Sequence, residues 1–334
     1  MKIFTYGCGA FGLALSTVLS DNGHKVFVYT RSETSKKEIN KKHTLEKYLG
    51  SHQIGKNINA TNDFNELNDS DYLLICVPSK AYKDVINELN IYLKRKINII
   101  NATKGLESST DSRISEFTFN NLNNDYILNF ASILGPGFAK EIIEKKLTCV
   151  NAISNNLNYA QEIQKLFSNE YFRVYTASDL VGAEFASSIK NSIAIASGML
   201  EGLGYEENTK AALVTRGLYE MAKISVEFGA KKDTFFGLCG LGDLMLTCNS
   251  DKSRNFSFGY KIGEKNSAKE IVENNTITIE GLYTTKVIYN LAKMHKIEMP
   301  IISTLYEILF NFKTPSIEIK QVMKRPLKEE NFTF

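Results

Sequence analysis

A chain of 334 residues is long for a single hydrophobic core and implies two domains. With 43% hydrophobic and 23% charged residues it has the balance of a soluble globular protein, which excludes a disordered chain. Forty Lys and Arg against 37 Asp and Glu, mixed along the sequence, leave a net charge of +3, too mild and dispersed for a nucleic-acid-binding stripe.

The uncharged stretch from Ile3 to Ser20 superficially resembles the apolar core of a signal peptide. Gly7, Gly9 and Gly12 interrupt it, and its apolar density falls short of a membrane span. It reads instead as a strand (Ile3–Tyr6), a tight turn, and a helix carrying Phe11, Ala14, Leu15, Val18 and Leu19 that ends near Gly23. Lys25–Tyr29 is the second strand. Tyr72–Val77 is a continuous apolar run closed by Pro78, the pattern of a buried parallel strand. A helix follows with Val85, Ile86, Leu89 and Leu93 on one face. Asn98–Asn101, Ile127–Ile133, Cys149–Ile153 and Phe172–Thr176 read as further strands. Such alternation predicts an α/β, doubly wound, mostly parallel sheet. After Asp179 the pattern turns helical: Leu180–Leu203, Asn208–Phe228, Lys252–Ile262, Thr284–Met294 and Ser303–Phe312, with Asp179 as N-cap and Gly204 as stop. The reading is a dinucleotide-binding domain over 1–183 and an all-α domain over 184–334. With no other span candidate, a soluble, cytoplasmic protein without membrane insertion is expected.

The cysteines (Cys8, Cys76, Cys149, Cys239 and Cys248) are odd in number, and no pair has C-x-x-C spacing. The histidines (His24, His43, His52 and His295) are scattered. Neither a disulfide framework nor a metal site is implied, and the cysteines read as small buried hydrophobes of a reducing compartment.

Gly7-Cys8-Gly9-Ala10-Phe11-Gly12 is G-x-G-x-x-G between a strand and a helix. The first glycine permits the turn, the second lets backbone N–H groups approach a pyrophosphate, and the third lets helix and strand pack closely. Alone the motif is weak; in this context it predicts a Rossmann-type dinucleotide site. The second strand runs into Tyr29-Thr30-Arg31-Ser32, with no carboxylate before Glu33. An NAD site usually offers a carboxylate to the ribose 2′-hydroxyl there, so the sequence predicts that NADPH serves at least as well as NADH. Arg31 is placed either to stack on adenine or to pair with a 2′-phosphate; a solvated surface arginine is the plain alternative.

Four more stretches are unusual for scaffold. Asn101-Ala102-Thr103-Lys104-Gly105-Leu106-Glu107 puts a lysine just past the carboxyl end of a strand, where open α/β sheets bind ligands. Gly135-Pro136-Gly137-Phe138-Ala139-Lys140-Glu141 repeats that arrangement one strand later. Lys190-Asn191 lies among Ala186, Ser187, Ser188, Ala194, Ala196, Ser197 and Gly198, where close packing would desolvate a lysine. Gly240-Leu241-Gly242-Asp243-Leu244 precedes Ser253-Arg254-Asn255. Taken singly, each lysine reads first as part of a solvated helix face.

Together these motifs resemble the bacterial-type NAD(P)-dependent glycerol-3-phosphate dehydrogenases, in order from Lys2 to about Ile302. The most specific parts are Lys104-Gly105-Leu106-Glu107, Ile189-Lys190-Asn191 with Ile195-Ala196-Ser197-Gly198, and Thr215-Arg216-Gly217. Equally specific are Gly240-Leu241-Gly242-Asp243, Ser253-Arg254-Asn255, and Glu280-Gly281 with Thr284-Thr285-Lys286.

The resemblance implies NADPH or NADH as cofactor, contacted by Gly7, Gly9, Ala10, Phe11, Gly12, Arg31, Lys104, Ala139, Arg254 and Glu280. It implies that Lys190 exchanges the proton at the substrate C2 oxygen. Substrate positions are Lys104, Gly135, Gly137, Lys190, Asn191, Asp243, Ser253, Arg254 and Asn255, and Lys104 and Asp243 join Lys190 as catalytic residues. The chemistry is consistent. Reducing a ketone needs positive charge or a proton at the forming alkoxide, and two lysines, each lowering the other's pKa, supply both. Arg254 beside Asn255 suits a phosphate monoester. Asp243 either orients Lys190 or receives substrate hydroxyls. Two departures stand out: Gly137 occupies a position where the family often has Ser, and Leu147-Thr148-Cys149 replaces a more usual Pro-Thr-Ala.

The implied reaction interconverts dihydroxyacetone phosphate and sn-glycerol 3-phosphate, with reduction supplying the glycerol backbone of phospholipids. The partner is thus a small-molecule substrate, not nucleic acid, and a homodimer is an expectation of the family alone. A related two-domain hydroxyacid dehydrogenase is the nearest rival. A silent nucleotide-sensing module needs neither Lys104 nor Lys190, which speaks against it.

Overall fold

Eight strands pair into one sheet in the first of two units, Met1–Leu180, of a computed structural model that describes residues 1–327 and 329–330. The strands are β1 (Lys2–Tyr6), β2 (Lys25–Tyr29), β3 (Ile58–Thr61), β4 (Tyr72–Ile75), β5 (Ile97–Asn101), β6 (Ile127–Leu134), β7 (Thr148–Ile153) and β8 (Phe172–Ala177). Their order is β3-β2-β1-β4-β5-β6-β7-β8. All neighbours are parallel except β6 and β7, which pair antiparallel with Ile133 opposite Ala152. The chain reverses direction of winding at β1, where Phe4 lies between Phe27 of β2 and Leu73 of β4. A doubly wound sheet opens its ligand crevice at that point, beyond the carboxyl ends of β1 and β4.

Short apolar runs make the strands, and amphipathic helices cover them. Leu157–Phe167 buries Tyr159, Ala160, Ile163, Leu166 and Phe167, one stripe of a helix, and Asn156 accepts from the Tyr159 N–H at its start. Tyr82–Tyr92 buries Val85, Ile86 and Leu89, and Leu93 joins them. Each such side chain stabilises the fold by about 1.5–3 kcal/mol. β3 was not visible in the sequence pattern. Its four residues, Ile-Asn-Ala-Thr, alternate but are too few and too weakly apolar to mark a strand, and pairing with β2 and burial of Ile58 and Ala60 select it.

The second unit, Val181–Phe334, is helical throughout its described residues. Residues 328 and 331–334, at the end of the expected second domain, lie outside the described residues. The helix Leu180–Gly202 ends as its glycine predicts. Gly204, at φ +82°, donates to the Glu201 carbonyl while Tyr205 donates to that of Leu200, a Schellman closure. Several expected boundaries move, among them the start of the helix expected from Thr284, which lies at Glu280. Arg254–Lys265 starts later than expected because Ser253 caps it, and Pro300–Phe310 starts earlier because proline suits the first helical position.

Glycines bring two helices of this unit into backbone contact. A Cβ on Gly198 or Gly202 would collide with the carbonyl oxygens of Phe256 and Tyr260. A Cβ on Gly259 or Gly263 would collide with those of Ile195 and Met199. Ile195, Met199, Phe258 and Ile262 then form a core with Leu305, Ile308 and Leu309. Among the described residues, no helix is long and apolar enough to cross a membrane.

Candidate active site

The glycine turn joins β1 to the helix Ala10–Asp21. Gly7 has φ +131°, and a Cβ there would strike the Cys76 carbonyl just past β4; one on Gly12 would strike the Gly7 carbonyl. These two contacts close the turn and admit only hydrogen. Gly9 differs: a Cβ on it would meet nothing within 4 Å. As N-cap it offers no side chain to the helix, so the first-turn N–H groups of Ala10, Phe11 and Gly12 are left for an anion approaching through that open space. The turn fits the pyrophosphate of a dinucleotide.

At the end of β2, Arg31 is exposed and pairs with Glu88, which stands on the helix Tyr82–Tyr92. The Tyr6 phenol donates to the other Glu88 oxygen at 2.5 Å, and Arg31 Nη2 reaches the same phenol at 3.5 Å. Burial, then Glu88, pushes the Tyr6 hydroxyl well above its ordinary range. Glu33 is engaged elsewhere, accepting from Asn62 at 2.5 Å with Lys36 at 3.9 Å. The carboxylate beside Arg31 therefore comes from a helix 57 residues on, which the sequence at the end of β2 does not reveal.

Lys104 follows β5, as expected. Its Nζ donates to the Gly135 carbonyl at 3.0 Å and stands 5.6 Å from the centre of the Phe11 ring. Gly137 is next to the same ring, where a Cβ would lie 4.0 Å from Phe11 and 3.6 Å from Thr148. Ala139 opens the helix Ala139–Ile143 and packs on the core of the sheet. Thus Gly7, Gly9, Phe11, Gly12, Lys104, Gly135 and Gly137 gather beyond the carboxyl ends of β1, β5 and β6.

In the second unit, Gly240-Leu241-Gly242 lies in a π-helical turn, Leu238–Gly242, that runs into the helix Asp243–Cys248. Such turns recur at functional sites because they redirect the side chain that follows. Here that side chain is Asp243. Its Oδ1 accepts from Lys190 Nζ at 2.9 Å, and Thr247 Oγ accepts from the same ammonium at 2.9 Å. Lys190 is 4% exposed and Asp243 1%, so this is a buried, hydrogen-bonded ion pair. The lysine is desolvated, as its small neighbours imply, and of the two roles open to Asp243 the fold shows the one that orients Lys190. Thr247 was missed, although Asp243 and Thr247 stand four residues apart on one helix face. Cys248 is buried alongside, and burial pushes its thiol up to about 12.

Three helices meet through a chain of amides. Asn191 Nδ2 donates to Glu280 at 3.2 Å, Asn255 Nδ2 donates to Asn191 Oδ1 at 3.0 Å, and the Gly281 N–H donates to Asn255 Oδ1 at 2.9 Å. Asn255 thus positions the helices Leu180–Gly202 and Glu280–Met294. The Ser253 hydroxyl accepts from the Phe256 N–H and caps its helix. Arg254, at the first position of that helix, is exposed and lines a cleft of about 630 Å³ with Lys252, Ser257 and Lys261. Among the described residues, no three His, Cys, Asp or Glu side chains group to hold a metal.

A glycine turn shaped for pyrophosphate, a lysine at the mouth of β5 and a buried Lys–Asp pair are the parts of a nicotinamide oxidoreductase. Models of the NAD-dependent glycerol-3-phosphate dehydrogenases match the chain twice, their N-terminus over residues 2–160 and their C-terminus over 179–320. The chain belongs to this family. The NAD(P)+ glycerol-3-phosphate dehydrogenase of Staphylococcus aureus (strain bovine RF122 / ET3-1) is 40% identical over 330 residues, 98% of this chain and 99% of the relative. That of Staphylococcus carnosus (strain TM300) is 41% identical over the same shares. The solved glycerol-3-phosphate dehydrogenase of Coxiella burnetii superposes with a TM-score of 0.89 at 34% identity, covering 97% of this chain and 99% of that one. Membership in the glycerol-3-phosphate dehydrogenase family bears out the resemblance seen in the motifs, the Rossmann-type fold class with its helical second part, and NAD(P)H as cofactor.

Proposed function

We propose that this member of the family reduces dihydroxyacetone phosphate to sn-glycerol 3-phosphate, the precursor of the phospholipid backbone. Bound NADH or NADPH supplies the hydride to C2. The glycine turn holds the pyrophosphate, and Phe11 and Ala139 border that cradle. Lys190 gives its proton to the C2 oxygen and recovers it in the reverse direction, while Asp243 and Thr247 hold its ammonium in place. Lys104 adds positive charge for the forming alkoxide. Arg254, with the helix amino end behind it, receives the phosphate monoester, and Asn255 and Asn191 fix the elements that carry Arg254 and Lys190. The first 183 residues serve mainly the cofactor and residues from 184 on mainly the substrate, Lys104 being the exception that acts on the substrate from the first part of the chain.

The single observation that carries this reading is the buried Lys190–Asp243 pair. An ammonium removed from water is costly unless a carboxylate compensates it, and scaffold alone gains little from such a pair. A cytoplasmic location and a homodimer accompany the reading as properties of its relatives' kind. The test is the loss of NADPH or NADH absorbance when enzyme and dihydroxyacetone phosphate are mixed, beside a panel of 2-oxo acids. Turnover of an oxo acid with none of dihydroxyacetone phosphate would favour the hydroxyacid rival.

A further inference from the structure

The strand-end position that reads nicotinamide cofactors, just past β2, carries a cation and no carboxylate of its own. The fold brings one to it from elsewhere. Glu88 reaches Arg31 from the helix Tyr82–Tyr92, and both of its oxygens are used: one by the Arg31 guanidinium, the other by the Tyr6 phenol at 2.5 Å. Tyr6 is 5% exposed and packs on Tyr29 with ring centres 4.9 Å apart; Tyr29 packs on Phe64 at 4.6 Å, and Phe64 stacks on Tyr92 at 4.2 Å. A carboxylate anchored on a buried tyrosine, itself packed into an aromatic stack, is held far better than one in an ordinary surface ion pair.

We infer that Glu88 is a specificity-determining residue that sets the balance between NADH and NADPH. The inference rests on Arg31 meeting the 2′ position of the cofactor. NADPH brings a 2′-phosphate that needs the guanidinium for itself, and Glu88 both cancels that charge and repels the phosphate. NADH brings a 2′-hydroxyl, which meets no repulsion and finds in Glu88 the carboxylate acceptor that β2 lacks. Glu88 therefore moderates a site that Arg31 alone would tilt toward NADPH.

The experiment compares the full-length wild type with Glu88→Gln, Arg31→Ala and the double variant, using kcat/KM for each cofactor and the Kd of each from nicotinamide fluorescence without substrate. Glutamine keeps an acceptor for Tyr6 and removes the charge. Glu88→Gln is expected to raise the NADPH-to-NADH preference about five- to tenfold, through tighter NADPH binding, and added salt should shrink the gain. In the Arg31→Ala background the same change should have no such effect. Tyr6→Phe, which releases one anchor of Glu88, should shift the preference the same way by less. An unchanged or lowered preference in Glu88→Gln overturns the inference, as does a full effect that persists without Arg31. Failure of the underlying reading looks different: Arg31→Ala would then weaken both cofactors equally.

Discussion

Lys190 and Asp243 are 53 residues apart in the chain and 2.9 Å apart in the fold, each almost wholly buried. Each makes the other tolerable in the interior, so neither can be removed quietly. Lys190→Ala is expected to lower kcat by roughly 10²–10⁴-fold, the range for losing a positioned acid–base group. Asp243→Asn should lower it too, because the ammonium loses the charge that holds it. Both variants should also lose stability, by up to about 3–5 kcal/mol, since each leaves a buried charge behind. Single-turnover hydride transfer followed by NADPH absorbance, with thermal melts alongside, separates the two effects. Near-normal transfer in Lys190→Ala would remove that lysine from the mechanism and leave Lys104 as the better candidate.

Arg254 gives a prediction specific to the phosphate. Arg254→Ala should cut kcat/KM for dihydroxyacetone phosphate by roughly 10- to 100-fold, as expected for a lost charge-assisted contact of about 1.5–3 kcal/mol. Part of the loss should appear in kcat, because the remote group positions C2. Dihydroxyacetone itself should be a very poor substrate and indifferent to the change. Equal losses on both compounds would place the phosphate site elsewhere.

What could be read from the chain divides along physical lines. Local signals were legible: the glycine turn, the stripe of Val85, Ile86 and Leu89, and the stop at Gly204 each depend on residues within a few positions. Pairings across the fold were not. The small residues around Lys190 announce close packing and the resemblance names Asp243, but whether that carboxylate meets the lysine or the substrate is decided only in the fold, where the π-helical turn places Asp243 against Lys190. Arg31 was visible as a cation at a cofactor position; its partner Glu88, on another element, was not. Asn255 is grouped with Arg254 for the phosphate by sequence; in the fold its amide nitrogen donates to Asn191 Oδ1 and its oxygen accepts from the Gly281 N–H, links that no local pattern reveals. The cap at Ser253 was legible in principle, since a serine before a helical run is its ordinary signature.

Glu220 makes stability depend on pH. Its buried carboxylate accepts from the N–H groups of Ile301 at 2.7 Å and Ile302 at 3.2 Å, capping the helix Pro300–Phe310 from across the unit. Burial outweighs those donors and pushes the carboxyl up from 4.5 to about 7. The folded state therefore holds a proton that the unfolded state has released. This contribution is full below about pH 4.5, falls as pH rises toward 7, and is gone above it, a change of about 3 kcal/mol. Glu220→Gln should abolish that slope. Melting curves of the two proteins between pH 5 and 8 should diverge in that sense; a constant offset would exclude Glu220 as the source.

Cys248 neighbours the lysine pair yet should take no part in chemistry. With its thiol pushed up to about 12 by burial, it carries almost no thiolate at neutral pH. Iodoacetamide should leave it unlabelled in the native enzyme and label it after denaturation, as read by peptide mass. Labelling of the native protein at that residue would show that the interior opens to reagent.

The four glycines between the helices Leu180–Gly202 and Arg254–Lys265 also decide how this part of the molecule comes apart. Because backbone rests directly on backbone, no side chain can swivel to keep partial contact as the helices separate. Opening is then all-or-none, and the amide bridge between Asn191 and Asn255 is lost in the same event. Slow amide hydrogens along the facing turns of both helices should exchange with deuterium at one common rate, as a single cooperative unit.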